Sequence, residues 1–206
     1  MRITREEART KVQEFLLQNV VLISHMDLDK RIFSYHFRAP FKESLQLPGS
    51  PFAEEILEKV SDDNPVCVEV SITFFENFAQ VQVFFQPEIQ MLLQKISKNI
   101  RIEVLELVNY INTLDGILMP VIDEEDDDDV YIPYFVSTYL NDDSDIATTI
   151  NLTYSELTSP AYLGLISKAL PIRYNLYAYS TLCLIEGLED LETIKNFLKK
   201  ATSEII

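Results

Sequence analysis

Glycine, cysteine and tryptophan are scarce in this sequence: its 206 residues include four glycines, two cysteines and no tryptophan. Loops that cradle nucleotide phosphates are rich in glycine, so this shortage disfavours a binding site of that kind. Cys67 and Cys183 stand far apart among apolar neighbours, a pattern typical of small buried side chains in a reducing compartment. We therefore expect a cytoplasmic protein.

Basic residues are also few. Lysine and arginine number 17 against 33 aspartates and glutamates, which gives a net charge of −16. Nucleic acids and anionic membrane surfaces attract clustered Lys and Arg, so neither is expected as a partner. No apolar run reaches the roughly 18 residues that a transmembrane helix needs, and the polar N-terminus has no signal-peptide core. Hydrophobic residues nevertheless make up 47%, with twelve Phe and ten Tyr, which indicates a globular chain with a substantial core.

Catalytic signatures are absent as well. The sequence has no Gly-x-Ser-x-Gly, no phosphate-binding glycine loop and no His-Glu-x-x-His. Its two histidines, His25 and His36, lie on neighbouring predicted strands; one interpretation is a metal or acid–base role, and the other is packing between paired strands. We expect a protein that is not an enzyme and that uses no cofactor.

One stretch of the chain organises the predicted fold. Between Glu88 and Leu114 the apolar residues recur at steps of three and four, which predicts a single long amphipathic helix. Pro87 precedes it, and Asp115-Gly116 supplies a stop. Strand-like runs flank it on both sides, so we expect the helix to pack across an antiparallel sheet.

The remaining elements follow from caps, turns and alternation. Thr4 can cap a first helix that runs to about Gln18, and Ser159-Pro160 opens the C-terminal helices. Pro171 is expected to interrupt or kink that region. The predicted strands are 20–26, 31–38, 66–74, 78–85, 116–122, 130–140 and 146–154; the other predicted segments are a loop at 39–50, a short helix at 50–60 and a last helix at 189–203. The pattern predicts an α+β fold, with a domain at 1–170 and a C-terminal helical extension at 171–206 packed on the same core.

An unbroken acidic run, from Asp123 to Asp129, is the most conspicuous local feature. A second acidic patch follows at Asp142, Asp143 and Asp145. One interpretation is a pair of solvated hairpin turns; another is a divalent cation site, because carboxylates suit Ca²⁺ and Mg²⁺. A third is docking of a basic partner, with these contact residues: Asp126, Asp127, Asp128 and Asp129.

Two further groups of side chains are candidates. Tyr174 and Tyr177, with Tyr162 and Tyr179, form an aromatic group that is predicted to contact a partner from the protein surface or, alternatively, to cap the core. Asn109 and Asn112 form a polar pair on one side of the long helix. They are expected to bond to strand backbone or to the turn at Asp115, or simply to help end the helix.

The segment Leu105-Glu106-Leu107-Val108-Asn109-Tyr110-Ile111-Asn112 is followed by Gly116, an apolar strand, an acidic turn and another strand. This order resembles the YbjN-like proteins, which belong to the group that shares the type III secretion chaperone fold. The resemblance covers roughly residues 1–170; the segment 39–60 and the helices beyond Pro171 depart from the family pattern. It implies a non-catalytic, acidic, dimeric protein that holds partly unfolded or extended segments of other proteins.

The residues and the resemblance together predict a cytoplasmic protein-interaction module, chaperone-like or regulatory, that binds a protein or peptide partner through sheet and helix surfaces, sheet edges and acidic turns. A basic partner and a homodimer are both expected. Two alternatives stay open: a metal-dependent protein or enzyme that uses the acidic turns or histidines, and an acidic inhibitor or immunity protein that neutralises a basic partner.

Overall fold

The computed structural model describes residues 3–19, 23–26, 32–37, 68–85, 87–114, 119–122, 129–132, 137–141 and 144–204. The predicted loop at 39–50, the predicted helix at 50–60 and Cys67 lie outside these residues. The described strands, in chain order, are β1 (Ile23–Met26), β2 (Ile32–Phe37), β3 (Val68–Phe74), β4 (Ala79–Phe85), β5 (Met119–Ile122), β6 (Asp129–Ile132), β7 (Ser137–Leu140) and β8 (Ile146–Leu152).

Six of these strands form one antiparallel sheet in the order β1-β2-β3-β4-β8-β7, and β5 pairs with β6 in a separate two-stranded sheet. The described helices are α1 (Arg5–Asn19), α2 (Pro87–Leu93), α3 (Lys98–Leu114), α4 (Tyr154–Leu157), α5 (Pro160–Gly164), α6 (Leu170–Glu186) and α7 (Leu191–Glu204). A π-helical turn, Leu165–Ala169, joins α5 to α6. The predicted α+β class, with an antiparallel sheet and helices packed on it, is confirmed.

Alternation of side chains divides the sheet into two faces. In β3 and β4 every second residue is buried and the residues between are half-buried, as the alternating sequence predicts. The buried residues form the inner face, which belongs to one hydrophobic cluster with the helices. The other side of the sheet is called the outer face below.

The predicted single helix from 88 to 114 is wrong, because the structure has two helices there. Residues 94–97 separate α2 from α3, and Ser97 begins the second helix: its hydroxyl accepts a bond from the Ile100 N–H (3.3 Å) and its carbonyl accepts one from the Arg101 N–H (3.0 Å). A serine side chain that binds the backbone in this way favours a helix start over a helix interior.

The predicted strand at 130–140 is also two elements. Residues 129–132 form β6, which pairs with β5, whereas residues 137–140 form β7, which pairs with β8 in the large sheet. Pro133 follows the last residue of β6 in the sequence, and a proline has no N–H to extend a strand ladder.

The helix at the centre of the molecule is α6. Every residue of α6 from Leu170 to Thr181 whose side chain is described is buried, and the helix packs on β3, β4 and α3. Pro171 lies within it and does not end it. The local irregularity is the π turn just before, where the Leu170 N–H donates to the carbonyl of Leu165. The segment 171–206 therefore contributes directly to the core of the sheet.

Candidate functional site

The outer face of the sheet carries mainly uncharged polar side chains. The β3–β4 and β4–β8 registers place Thr73 beside Gln80 and Gln82 beside Thr149. In β7, Ser137 and Tyr139 are exposed, and they lie opposite Thr149 and Ala147. We define the outer-face patch by six residues of β4, β7 and β8: Gln80, Gln82, Ser137, Tyr139, Thr149 and Asn151.

Side chains of the outer-face patch contact one another only weakly. The Gln82 amide donates to the Tyr139 hydroxyl and to the Thr149 hydroxyl, both at 3.5 Å. The Gln80 amide donates to the side-chain oxygen (Oδ1) of Asn151 at 3.2 Å. The two bonds of 3.5 Å are longer than usual and therefore weak, and the bond of 3.2 Å is at the upper end of the usual range. The amide and hydroxyl groups of the patch can therefore exchange these contacts for those of a bound partner at little cost.

An aromatic pair continues the outer face at the β3–β4 turn. The Phe75 N–H donates to the Phe78 carbonyl (2.9 Å), one step beyond the paired residues Phe74 and Ala79. The two Phe rings stack with centroids 4.8 Å apart and planes inclined by 15°. They are 41% and 38% exposed. We call Phe75, Glu76, Asn77 and Phe78 the hairpin tip.

The hairpin tip contacts Tyr154, the first residue of α4. Its hydroxyl donates to the carbonyl of Phe75, and burial raises the pKa of this hydroxyl. A capping box starts α4: Glu156 accepts from the Thr153 N–H at 2.7 Å, and the Thr153 hydroxyl accepts from the Glu156 N–H at 3.3 Å. The tip therefore rests on a short, well-capped helix.

One edge of the sheet is occupied by a side chain from α3. The Asn112 amide donates to the carbonyl of Thr138, and the Asn112 carbonyl oxygen accepts from the Thr138 N–H, both at 2.8 Å. This pair of bonds copies the pairing that a neighbouring strand would supply to β7. The predicted bond of Asn112 to strand backbone is confirmed. Asn109, three residues earlier, is exposed, so the two asparagines do not act as a pair.

Behind Thr138 lies a buried cluster of hydroxyl groups. Tyr174 of α6 donates to the Thr148 hydroxyl at 2.7 Å and bonds the Thr138 hydroxyl at 2.8 Å. All three residues are at most 2% exposed. Sequence analysis did not identify this cluster; the available signal was that Thr148 alternates with the apolar residues Ile146 and Ile150 on one face of its strand.

The prediction that Tyr174 and Tyr177 lie at a surface is wrong. Both rings are fully buried, and they pack edge to face with centroids 5.2 Å apart. In this fold neither ring is available to a partner. They cap the core, because the hydroxyl of Tyr174 finds its hydrogen bonds inside the protein.

The acidic run joins β5 to β6. Ile122 pairs with Asp129, so Asp123 to Asp128 form the connection between these strands. The side chains of Asp126 to Asp129 lie outside the described residues, as do Asp142 and Asp143. The second patch follows β7, where Asn141 accepts from the Asp145 N–H at 2.8 Å and Arg101 of α3 donates to the Ser144 hydroxyl at 3.1 Å.

Neither histidine lies directly opposite the other in the sheet. His25 is opposite Ser34, and His36 is opposite Glu69. In the part of the chain that the structure describes, no group of three or more His, Cys, Asp or Glu could hold a metal ion. None of the described helices is both long enough and apolar enough to span a bilayer.

Comparison with protein-family models, curated proteins and solved structures finds no match to this chain. The resemblance to the YbjN-like proteins therefore stays a prediction.

Proposed function

We propose that this protein is a non-catalytic protein-interaction module, chaperone-like or regulatory, that binds a protein partner on the outer face of its sheet. The observation that carries the proposal is the outer-face patch: uncharged amide and hydroxyl groups, weakly bonded to one another, next to the exposed aromatic rings of the hairpin tip. Aromatic rings with adaptable polar groups are the composition that protein interfaces favour.

The hydrogen bonds at the β7 edge favour binding of a partner on the outer face of the sheet over addition of a partner strand at this edge. At the β7 edge the outward N–H and carbonyl of Thr138 already bond Asn112, so a partner strand would have to displace that side chain. Edge pairing, expected from the sequence, is therefore disfavoured at this edge. The outer-face patch needs no such displacement.

The acidic run supports a basic partner. Its residues Asp123 to Asp128 stand on the connection between β5 and β6, and the whole chain has a net charge of −16. Charges of one sign steer a partner of the other sign and make association sensitive to salt. Replacing Asp126–Asp129 with serine is expected to slow association and weaken its salt dependence while the fold is kept.

The proposal is tested with two matched variants, Gln82→Lys on the outer face and Asn109→Lys on the exposed side of α3. Each exchanges an amide for an ammonium group and changes the net charge equally. Affinity capture from native lysate, read by mass spectrometry, is expected to recover the same salt-sensitive partner with the wild type and with Asn109→Lys, and to lose it with Gln82→Lys. Equal recovery with both variants would contradict binding on the outer face.

Thermal unfolding with millimolar Ca²⁺, Mg²⁺, Mn²⁺ or Zn²⁺ addresses the metal-dependent alternative. A ligand that binds the native state raises the melting temperature. A metal-specific rise that disappears in the Asp126–Asp129 serine variant would replace the interaction proposal with a cation site in the acidic run.

A further inference from the structure

The two rings of the hairpin tip are exposed in an unusual place. Turn positions favour Asn, Asp, Gly and Ser, whose side chains suit water. Here two phenylalanines flank the turn residues Glu76 and Asn77, and about two fifths of the surface of each phenylalanine residue is exposed. The preceding residue, Phe74, is buried against Tyr154 with ring centroids 6.4 Å apart. The outward pair therefore adds little to the core.

The stacked arrangement presents ring faces, which carry the negative part of the aromatic quadrupole. Because the planes are nearly parallel, inclined by 15°, each ring covers one face of its partner and leaves the other face for a different contact, such as a flat cation. Glu76, an exposed acidic residue, follows Phe75 directly in the turn. Arg5 of α1 acts electrostatically on Tyr154, which contacts the tip, but Arg5 pairs with Glu6 at 3.8 Å.

We infer that the hairpin tip is a docking point for an arginine side chain of the partner. The guanidinium group stacks on a ring of Phe75 or Phe78 and bonds the carboxylate of Glu76. Arginine suits this place better than lysine, because its planar group stacks on rings and binds a carboxylate with two parallel N–H groups. The net charge of −16 favours such a basic segment. The inference rests on the proposed function and names the partner chemistry at one end of the same face.

The test uses two synthetic peptides and the full chain. The probe is an acetylated, amidated hexapeptide that alternates arginine and leucine; the control peptide has citrulline, a neutral isostere, at each arginine position. Amide resonances of the ¹⁵N-labelled protein are followed during titration. The arginine peptide is expected to shift the Glu76, Asn77 and Phe78 amides in a saturable way, and the citrulline peptide is not.

The double variant Phe75→Leu/Phe78→Leu keeps apolar side chains but removes the ring faces. It is expected to bind the arginine peptide about fivefold more weakly, the scale of exposed cation–π contacts. Glu76→Gln is expected to weaken binding and reduce its salt dependence. Equal affinity of the leucine variant, equal shifts with citrulline, or shifts that avoid the hairpin tip would each overturn the inference.

Failure of the inference and failure of the proposed function give different results. If the leucine variant binds the captured partner as tightly as the wild type does, while Gln82→Lys loses that partner, the outer face binds a partner and the arginine contact is wrong. If the tip binds the arginine peptide while Gln82→Lys retains the partner, the contact at the tip stands and the function proposed for the outer face is wrong.

Discussion

Asn112→Ala tests whether the side chain that closes the β7 edge stabilises the fold. Asn112 makes two hydrogen bonds of 2.8 Å to the backbone of Thr138. Each is worth about 1 kcal/mol net of the hydrogen bonds that the same groups make to water in the unfolded chain. Alanine is about 0.5 kcal/mol more favourable than asparagine inside a helix. The variant is therefore expected to lose about 1.5 kcal/mol of unfolding free energy.

The assay is urea unfolding, supported by thermal melts. For a chain of this size a loss of this magnitude lowers the melting temperature by roughly 3 to 6 °C. Asn109→Ala is the matched control, because Asn109 lies on the same helix with its side chain exposed. That variant is expected to be unchanged or slightly more stable.

Hydrogen exchange gives a residue-specific readout of the same bond. The Thr138 amide donates to Asn112, so its exchange is expected to be slow in the wild type and faster in Asn112→Ala. Should Asn112→Ala be as stable as Asn109→Ala and leave exchange at Thr138 unchanged, the claim that this side chain closes the edge would be refuted.

Four other variants address the core, a helix end and the dependence of stability on pH. Thr148→Val takes a hydroxyl partner from buried Tyr174 and is expected to cost about 2 kcal/mol in urea unfolding; Ser180→Ala is expected to be neutral or stabilising, because the buried Ser180 hydroxyl has no hydrogen-bond partner among the described residues. Gly187→Ala is expected to cost about 1 kcal/mol in thermal melts, because φ is +69°; equal stability would contradict this. Hydrogen bonds from the backbone and side chain of Thr4 hold the pKa of Glu7 below its ordinary value of 4.5. The ionised Glu7 carboxylate stabilises the fold above pH 4.5, and this contribution is lost as the pH falls through the lower pKa of the folded state. Urea unfolding at a series of pH values is therefore expected to show a smaller loss of unfolding free energy in acid for Glu7→Gln than for the wild type.

Local patterns predicted most of the strands and most helix ends well; the strand at 130–140 is the exception, because it is two strands in different sheets. Alternation from Val68 to Phe74 and from Ala79 to Phe85 identified the β3–β4 hairpin, because a half-buried strand repeats every two residues. Ser159 caps α5 ahead of Pro160, as the sequence indicated. Such signals need only residues close in the chain.

The break before α3 was not predictable from apolar spacing. Leu93, Ile96 and Ile100 continue the steps of three and four straight through residues 94–97. Periodicity reports which side chains share a face, whereas the break depends on the bonds that Ser97 makes to the next turn. The available signal for the break was Ser97, a residue type that favours helix starts, in the middle of the apolar repeat.

The burial of Tyr174 and Tyr177 required contacts between distant segments. A tyrosine is amphipathic, so its sequence neighbours do not decide between a surface and a core. Tyr174 can be buried because the hydroxyl groups of Thr138 and Thr148, on two different strands, form hydrogen bonds with its hydroxyl. Similarly, alternation puts the polar residues of β3 and β4 on one face of the sheet, but the exposure of that face depends on α6 and α3 packing on the opposite side.

Asn112 and Gln82 together separate two routes by which a sheet protein can bind a partner. Asn112→Ala frees the backbone of Thr138 at the β7 edge and leaves the outer-face patch intact, whereas Gln82→Lys changes the patch and leaves the edge closed. A partner that adds a strand at β7 would bind Asn112→Ala more tightly than wild type, because the competing side chain is gone. A partner on the outer face is expected to bind Asn112→Ala as it binds wild type and to be lost with Gln82→Lys. Isothermal titration of the captured partner with both variants measures the difference, and tighter binding to Asn112→Ala would assign the partner to the edge.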